Sequence, residues 1–360
     1  MHIVPLLPLA KNLQTPEVLH RLVGARSALA EFKGTAGSIP NQQILIDTLG
    51  LQEAKDSSEI ENIVTTQDEL FTSSPSSGLF ASAASKEVYQ YAFALKKGFD
   101  MVKAHGLLTN NYILEVQAVI DQNRAGYRKL PGTKLINDKT NEIVYTPPQD
   151  YDTIVKLMEN LQAFMNDDRI YKADPLVKMA IIHHQFETIH PFYDGNGRTG
   201  RIINLLYLIQ KGLLHLPILY LSRYIIKHKA TYYKLLQQVR ETGEWEEWIL
   251  FMLDGIEETA TQGVATINGI KNLMQEYKQR IRTELPKIYS QDLLNNFFRH
   301  PYTKIDIVKN DLGVSRLTAT KYLDQIVSIG LLKKQKVGRD NYYINPALVV
   351  LLSGNAKKKK

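Results

Sequence analysis

The chain has no cysteine. Disulfides, thiolate nucleophiles and zinc sites built on Cys are therefore excluded, and a reducing compartment is compatible with the composition. No apolar run approaches the roughly 20 residues that a spanning helix needs. The first residues, MHIVPLLPLA, also lack the basic start of a signal peptide. The expectation is a cytoplasmic protein with no membrane contact. Most of the chain has no basic excess either. The net charge of +7 arises in residues 286–360, where fourteen Lys/Arg face five Asp/Glu, which leaves −2 for the rest. That asymmetry suggests a different task for the C-terminal part. What remains is ordinary: 360 residues, 44% hydrophobic and 22% charged, enough for two or three domains with cores of their own.

Read in order, residues 1–80 form an N-terminal helical region. Val18, Leu19, Leu22 and Val23 have helical spacing, and residues 41–51 suggest another helix. Ser57-Ser58-Glu59-Ile60-Glu61-Asn62 follows, with Ser57 and Glu61 one turn apart on one helical face. Taken alone, this is a helix end with solvated carboxylates. Residues 72–78 (TSSPSSG) read as a linker. Residues 81–280 form a core. Helices are expected at 85–104, with Val88, Tyr91, Ala92 and Leu95 on one stripe, and at 110–122. Lys134-Leu135-Ile136 and Ile143-Val144-Tyr145 flank a polar turn at 137–142, a hairpin in an otherwise helical chain. It is read as a brace, with an edge that recruits a peptide strand as the alternative. Further helices are expected at 150–165, from Asp174-Pro175 onward, from about 196 or 198 to 211, and at 220–253 and 256–276. The pattern at 286–350 is that of a winged helix: helices at 291–298, 303–311 and 315–329, then strands at 331–337 and 341–344 around Gly338-Arg339-Asp340. Arg316, Thr318, Thr320 and Lys321 lie on the candidate recognition helix, and Lys333, Lys334, Lys336 and Arg339 in the wing. DNA contact is the expected use; dimerisation or protein docking is the alternative. Residues 351–360 form a basic tail.

The chain is organised around HPFYDGNGRTGR, His190 to Arg201. Gly195, Gly197 and Gly200 match GxGxxG, but a dinucleotide fold needs a strand before it and an acid about 20 residues on. Here a helix comes before, and no acid occurs between Asp194 and Glu241. What remains is a glycine-rich turn at a helix N-terminus, whose N–H groups and positive dipole end bind phosphate. Arg198 and Arg201 can reach a polyphosphate, Asp194 can hold Mg²⁺ against it, and His190 can take a proton from an incoming hydroxyl. His183 and His184 point to different helix faces, so a zinc site is not expected. His183 is expected to be a buried, hydrogen-bonded support.

This stretch resembles the HxFx(D/E)GNGRxxR motif of the Fic family at every defined position. QFETIHPF before it, the hairpin at the family's flap and SSEIEN, similar to its (S/T)xxxE(G/N) inhibitory motif, extend the resemblance over nearly the whole chain. It implies a mainly α fold: a Fic helical bundle with a β-hairpin flap plus a C-terminal winged helix-turn-helix domain. It implies AMP transfer from ATP to a Ser, Thr or Tyr hydroxyl of a protein, releasing pyrophosphate. His190 would be the base and Phe192 the core anchor. Asp194 would hold Mg²⁺, Gly195, Asn196 and Gly197 would form the anion hole, Arg198 would hold the phosphates, and Arg201 the γ-phosphate. Gly197 disfavours the kinase branch, which has lysine there. The flap residues Leu135, Ile136, Ile143 and Val144 would dock the target. Ser57, Glu61 and Asn62 would form the inhibitory motif, with Glu61 pairing with Arg201 in the ATP site. The alternatives are removal of AMP with Glu61 placing a water, or a DNA-binding regulator that senses nucleotide. The expected partners are a hydroxyl-bearing protein substrate, DNA at the winged helix and a second copy in a homodimer.

Overall fold

The computed structural model describes residues 4–73, 78–136, 140–337 and 340–353. Among them are fifteen helices and two small antiparallel sheets. Helix α1 (Pro16–Gly37) is capped by Thr15, whose side chain accepts from the Val18 N–H. Its buried stripe is Val18, Leu22, Ala25, Leu29 and Phe32, and it packs along α11 (Glu246–Glu284). Leu19 and Val23 are exposed instead, because the 3.6-residue period starting at Val18 passes them by.

Helix α2 (Gln43–Ile60) runs nine residues past the Leu51 end expected from sequence. Its second half buries polar side chains: Gln52, Glu53, Asp56, Ser57 and Ser58. A periodicity of apolar residues cannot reveal such a face. Helix α3 (Gln67–Thr72) starts with a capping box of Thr66 and Glu69. Next come α4 (Ala83–His105), stopped by Gly106, and α5 (Asn110–Ile120). The linker at 72–78 lies partly outside the described residues.

Strands β1 (Leu135–Ile136) and β2 (Ile143–Tyr145) form the expected hairpin, with Leu135 opposite Tyr145, Ile136 opposite Ile143 and a bulge between. The turn residues 137–139 lie outside the described residues. Ile136, Ile143 and Val144 are exposed, whereas Tyr145 is buried and donates its hydroxyl to the Thr188 carbonyl at 3.0 Å.

Helices α6 (Tyr151–Asn166), α7 (Pro175–Ile189) and α8 (Asn196–Gln210) follow. Residues 176–189 of α7 are all buried, and α8 is nearly so. The pair forms the centre of the bundle. Helices α4 and α5 lie against α8, α6 and α11 against α7, and α2 against α4. Helices α9 (Leu221–Lys227) and α10 (Lys229–Thr242) connect to α11. Helix α11 is continuous for 39 residues, against the expected break at 254–255. Gly255 stands inside the helix as a packing glycine: the Tyr224 ring lies where its side chain would stand, 2.8 Å away.

The C-terminal part comprises α12 (Gln291–Arg299), β3 (Tyr302–Thr303), α13 (Ile305–Leu312), α14 (Arg316–Ser328), β4 (Lys333–Val337), β5 (Asp340–Ile344) and α15 (Pro346–Leu352). The sheet order is β3-β5-β4. Strand β3 and helix α15 are additions to the expected winged-helix pattern, since two- and seven-residue elements are too short to show a period. Leu351 and Leu352 belong to α15, so the basic tail begins later than 351. Residues 354–360 and the wing tip at 338–339, with Arg339, lie outside the described residues. The unit is docked on the N-terminal region. Arg299 pairs with Asp47 of α2 at 3.0 Å, and Tyr302 donates to Asp68 and stacks on Phe71 of α3 at 5.3 Å.

Candidate active site

The site is the corner between α7 and α8, closed by the end of α2. Helix α7 ends at His190, which adopts left-handed backbone (φ 49°) and whose N–H bonds Phe186 O at 2.9 Å. The chain therefore leaves the helix sharply. Phe192 then turns fully into the core against Tyr127 and Phe186, as the anchoring role requires. The Asn196 amide grips both backbone groups of Phe192, accepting at 2.9 Å and donating at 2.8 Å. Its side chain thus fixes the loop, and only its backbone N–H is left for an anion. Gly195 precedes α8 with φ 75°; its own N–H donates to Asp194 Oδ1 at 2.6 Å, and the cap residue offers no side chain to the first turn. An uncapped, glycine-opened helix start is a ready anion cradle.

Burial drives the His190 ring to a pKa of about 3, helped by the cations Arg240 and Arg128. The ring is thus neutral at physiological pH, with one nitrogen lone pair free. Its Nδ1 is buried, and the ring lies by the Glu187 carbonyl, which opposes the shift; Nε2 is the nitrogen left to act. His183 behaves as expected: it is buried, held near pKa 3 mainly by burial, and its Nε2 lies 2.8 Å from the Tyr232 hydroxyl.

At the other end, Arg201 is buried and already occupied. Its Nε donates to Ser57 Oγ at 2.7 Å, and Nη2 donates to Ser57 O at 3.0 Å and to Glu61 Oε1 at 2.7 Å. Burial works against its charge, but Glu61, Tyr232, Tyr91 and Glu187 together outweigh burial and raise its pKa. Glu61 lies directly over Gly197: a Cβ there would stand 2.2 Å from Glu61 Oε1. Asn62 receives a hydrogen bond from Lys229 at 3.0 Å. Arg198 bonds Glu87 at 3.0 Å. Asp194 is exposed, 3.9 Å from Arg198. The described residues contain no group of three or more His, Asp or Glu able to hold a metal. One exposed carboxylate beside an anion cradle fits Mg²⁺, which takes few protein ligands and completes its shell with phosphate and water.

Sequence reasoning missed several members. Glu187 on α7 is buried, and its carboxyl is pushed up to about 7 by burial, with Arg201 opposing. Glu53 on α2 is likewise pushed up to about 7 by burial; it accepts from Tyr91 at 3.0 Å and from the Ser222 N–H at 3.1 Å. Arg128 and Arg240, both buried, flank His190. Glu187 carried a signal, the one acid of α7. An arginine in an irregular segment such as Arg128 carries none. The cations suggested for DNA are partly engaged with acids: Arg316 with Asp306 and Lys334 with Asp324.

The site is thus a helix corner with a glycine-opened start beside a neutral histidine, and a third helix is seated on its arginine. Three family descriptions match this chain in order: Fic/DOC family N-terminal at 19–100, Fic/DOC family at 107–208, and Protein adenylyltransferase SoFic-like, C-terminal domain, at 273–348. The chain belongs to the Fic/DOC family. Among curated relatives, it is 30% identical over 188 residues to a "probable protein adenylyltransferase" of Aquifex aeolicus, covering 50% of this chain and 54% of that protein. It is 30% identical over 115 residues to the protein adenylyltransferase Fic of Aedes aegypti, covering 32% of this chain and 21% of that one. The chain thus spans about half or less of the length of these relatives. A crystal structure of a Fic family protein from Desulfovibrio desulfuricans shares the fold at 18% identity and TM-score 0.59, over 92% of this chain and 96% of that one. Caenorhabditis elegans Fic-1 (residues 134–508) does so at 18% and 0.53, over 70% and 74%. Among the described residues, no helix is long and apolar enough to cross a membrane.

Proposed function

We propose that this protein transfers AMP from ATP to a Ser, Thr or Tyr hydroxyl of a protein, itself included, and that Glu61 restrains it. The observation that carries the reading is the placement of neutral His190 beside the uncapped start of α8. The names of the relatives, protein adenylyltransferases, support it. The N–H groups of Asn196 and Gly197 hold the phosphates with Arg198, joined by that of Gly195 once Asp194 Oδ1, which takes it at 2.6 Å, turns to the metal, and Arg201 is reserved for the γ-phosphate. Asp194 would hold Mg²⁺, which supplies charge neutralisation on the phosphates when bound. His190 Nε2 takes the proton of the target hydroxyl, whose oxygen bonds to the α-phosphorus. The bond to the β-phosphate oxygen breaks and pyrophosphate leaves. The exposed flap residues Ile136, Ile143 and Val144, with Leu135, offer an edge for a target strand.

With Arg201 engaged by Ser57 and Glu61, the γ-phosphate lacks its anchor and the α-phosphorus is poorly aligned for attack. Removing the Glu61 carboxylate should therefore release activity. The test is incubation with labelled ATP. Glu61→Gly is expected to label itself at least about tenfold more than the wild type, the loss of a charged hydrogen bond being worth 1.5–3 kcal/mol, and His190→Ala to label nothing. Equal labelling by wild type and Glu61→Gly would overturn the restraint, and label persisting in His190→Ala would overturn the base.

A further inference from the structure

The end of α7 carries a second device, which rests on the reading of His190 as the base. When a helix stops, its last carbonyls lose their partners. Here four successive ones are taken up from outside the helix. Arg240 Nη2 donates to Glu187 O at 3.2 Å, the Tyr145 hydroxyl to Thr188 O at 3.0 Å, Arg128 Nη2 to Ile189 O at 3.4 Å, and Arg128 Nε to His190 O at 2.8 Å. The Arg128 N–H adds Pro191 O at 2.9 Å. The same two arginines hold the flap. Arg128 donates to Pro148 O, just past β2, and the Arg240 guanidinium lies 4.2 Å over the ring of Tyr145, the last residue of β2.

Arg128 is 1% exposed and Arg240 7%. Their hydrogen bonds go to carbonyls, the Thr188 hydroxyl and the Gln237 amide, and neither takes part in an ion pair among the described residues. The Glu187 carboxyl supports the Arg240 charge without bonding it directly. Burying charges without a direct counter-ion is expensive. Taking up the last carbonyls of the helix accounts for one half of what these arginines do, and their bridging to the flap for the other. We propose that Arg128 and Arg240 are positioning residues: a cationic clamp that fixes the direction of His190 and locks it to the flap, so that base and target edge move as one body. Their charges also act on the ring, where both favour its neutral form and the Glu187 carbonyl opposes them.

The test uses the full chain carrying Glu61→Gly, with Arg128→Met, Arg128→Lys and Arg240→Met added singly. Two readouts are taken: steady-state transfer with ATP varied, and titration of the His190 ring by NMR, which needs no activity. Arg128→Met is expected to lower kcat about 100-fold, as misplacement of a reacting group by about 1 Å does. KM for ATP should stay within about twofold, because the Arg198–Arg201 end is untouched. The ring should titrate at higher pH than in the parent. Arg128→Lys keeps the charge and loses the fork, so it should leave the ring titration near the parent's and still lower kcat. Arg240→Met should repeat both changes, and it carries the test if Arg128→Met does not fold. An unmoved ring titration in folded Arg128→Met or Arg240→Met, or an unchanged kcat, would overturn the clamp. If the Glu61→Gly parent transfers no AMP, the adenylyl reading falls, and the ring titration alone decides the clamp.

Discussion

The two ends of the His190–Arg201 stretch sit in opposite electrical surroundings. At the His190 end, two buried cations bear on a ring that burial has already made neutral. At the Arg201 end, two carboxylates and two phenols surround a buried cation and hold it charged. The ring at the first end is neutral as it stands. The second end is complete only while α2 is in place, because its ligands come from Ser57 and Glu61. On the function proposed above, a switch would act at the last turn of α2, and its departure would also uncover the buried Ile60.

The sharpest way to break this comparison is to remove the contested residue itself. In the Glu61→Gly background, Arg201→Ala should lower transfer about 10- to 100-fold, since a hydrogen bond to a charged group is worth about 1.5–3 kcal/mol. The loss should fall on both ATP affinity and kcat, since the γ-phosphate loses its anchor and the α-phosphorus its alignment, with the ring titration of His190 unchanged. Steady-state kinetics with ATP varied checks this, and unchanged kcat and KM would mean that Arg201 does not hold the nucleotide. A milder probe is Ser57→Ala with Glu61 intact. It deprives Arg201 Nε of its acceptor at 2.7 Å and leaves a buried donor unsatisfied, at a cost of about 1–3 kcal/mol. The inhibited state alone bears that cost, so auto-labelling should rise several-fold, less than in Glu61→Gly. No rise would show that Glu61 restrains the site without the serine.

The same contrast explains what could be read in the sequence. The α7–α8 corner was legible because polar and flexible residues were crowded between two apolar helices, and because Asp174-Pro175 and Gly212 marked the outer helix ends. The hairpin was legible from its two β-branched runs. The second half of α2 was not, because Glu53, Asp56, Ser57 and Ser58 are buried by partners far away in the chain. An apolar period has no means of showing a face stabilised by hydrogen bonds. Arg128 and Arg240 failed for the related reason that an isolated arginine ordinarily reads as solvated. The apparent break at Asp254-Gly255 was a packing glycine inside one long helix. Legibility thus tracked whether a residue's partner lay nearby in sequence or across the fold.

The buried acids behind Arg201 and the two buried rings of α7 and its end, His183 and His190, also differ in sign, and stability should record it. Burial raises the Glu53 carboxyl to about 7, against hydrogen bonds from Ser222 and Tyr91, and burial raises Glu187 to about 7 as well. Between about pH 4.5 and 7 the folded state keeps two protons that the unfolded chain has released, so these acids make stability fall as pH rises. Burial depresses His183 and His190 to about 3. Below about pH 6.5 the unfolded chain binds two protons that the folded state refuses, so the rings make stability rise with pH over the same range. Across roughly pH 4.5–6.5 the two pairs cancel. Glu53→Gln removes one acid and retains an acceptor for the Ser222 N–H. Relative to the wild type, its unfolding free energy should then climb with pH by up to about 1.4 kcal/mol per unit. Urea unfolding of both proteins at pH 5 and 6.5 measures the difference. Parallel slopes would mean that Glu53 is already ionised in the fold, with Arg223 or Arg201 supplying the compensation, and the acid side would then not differ from the base side as described.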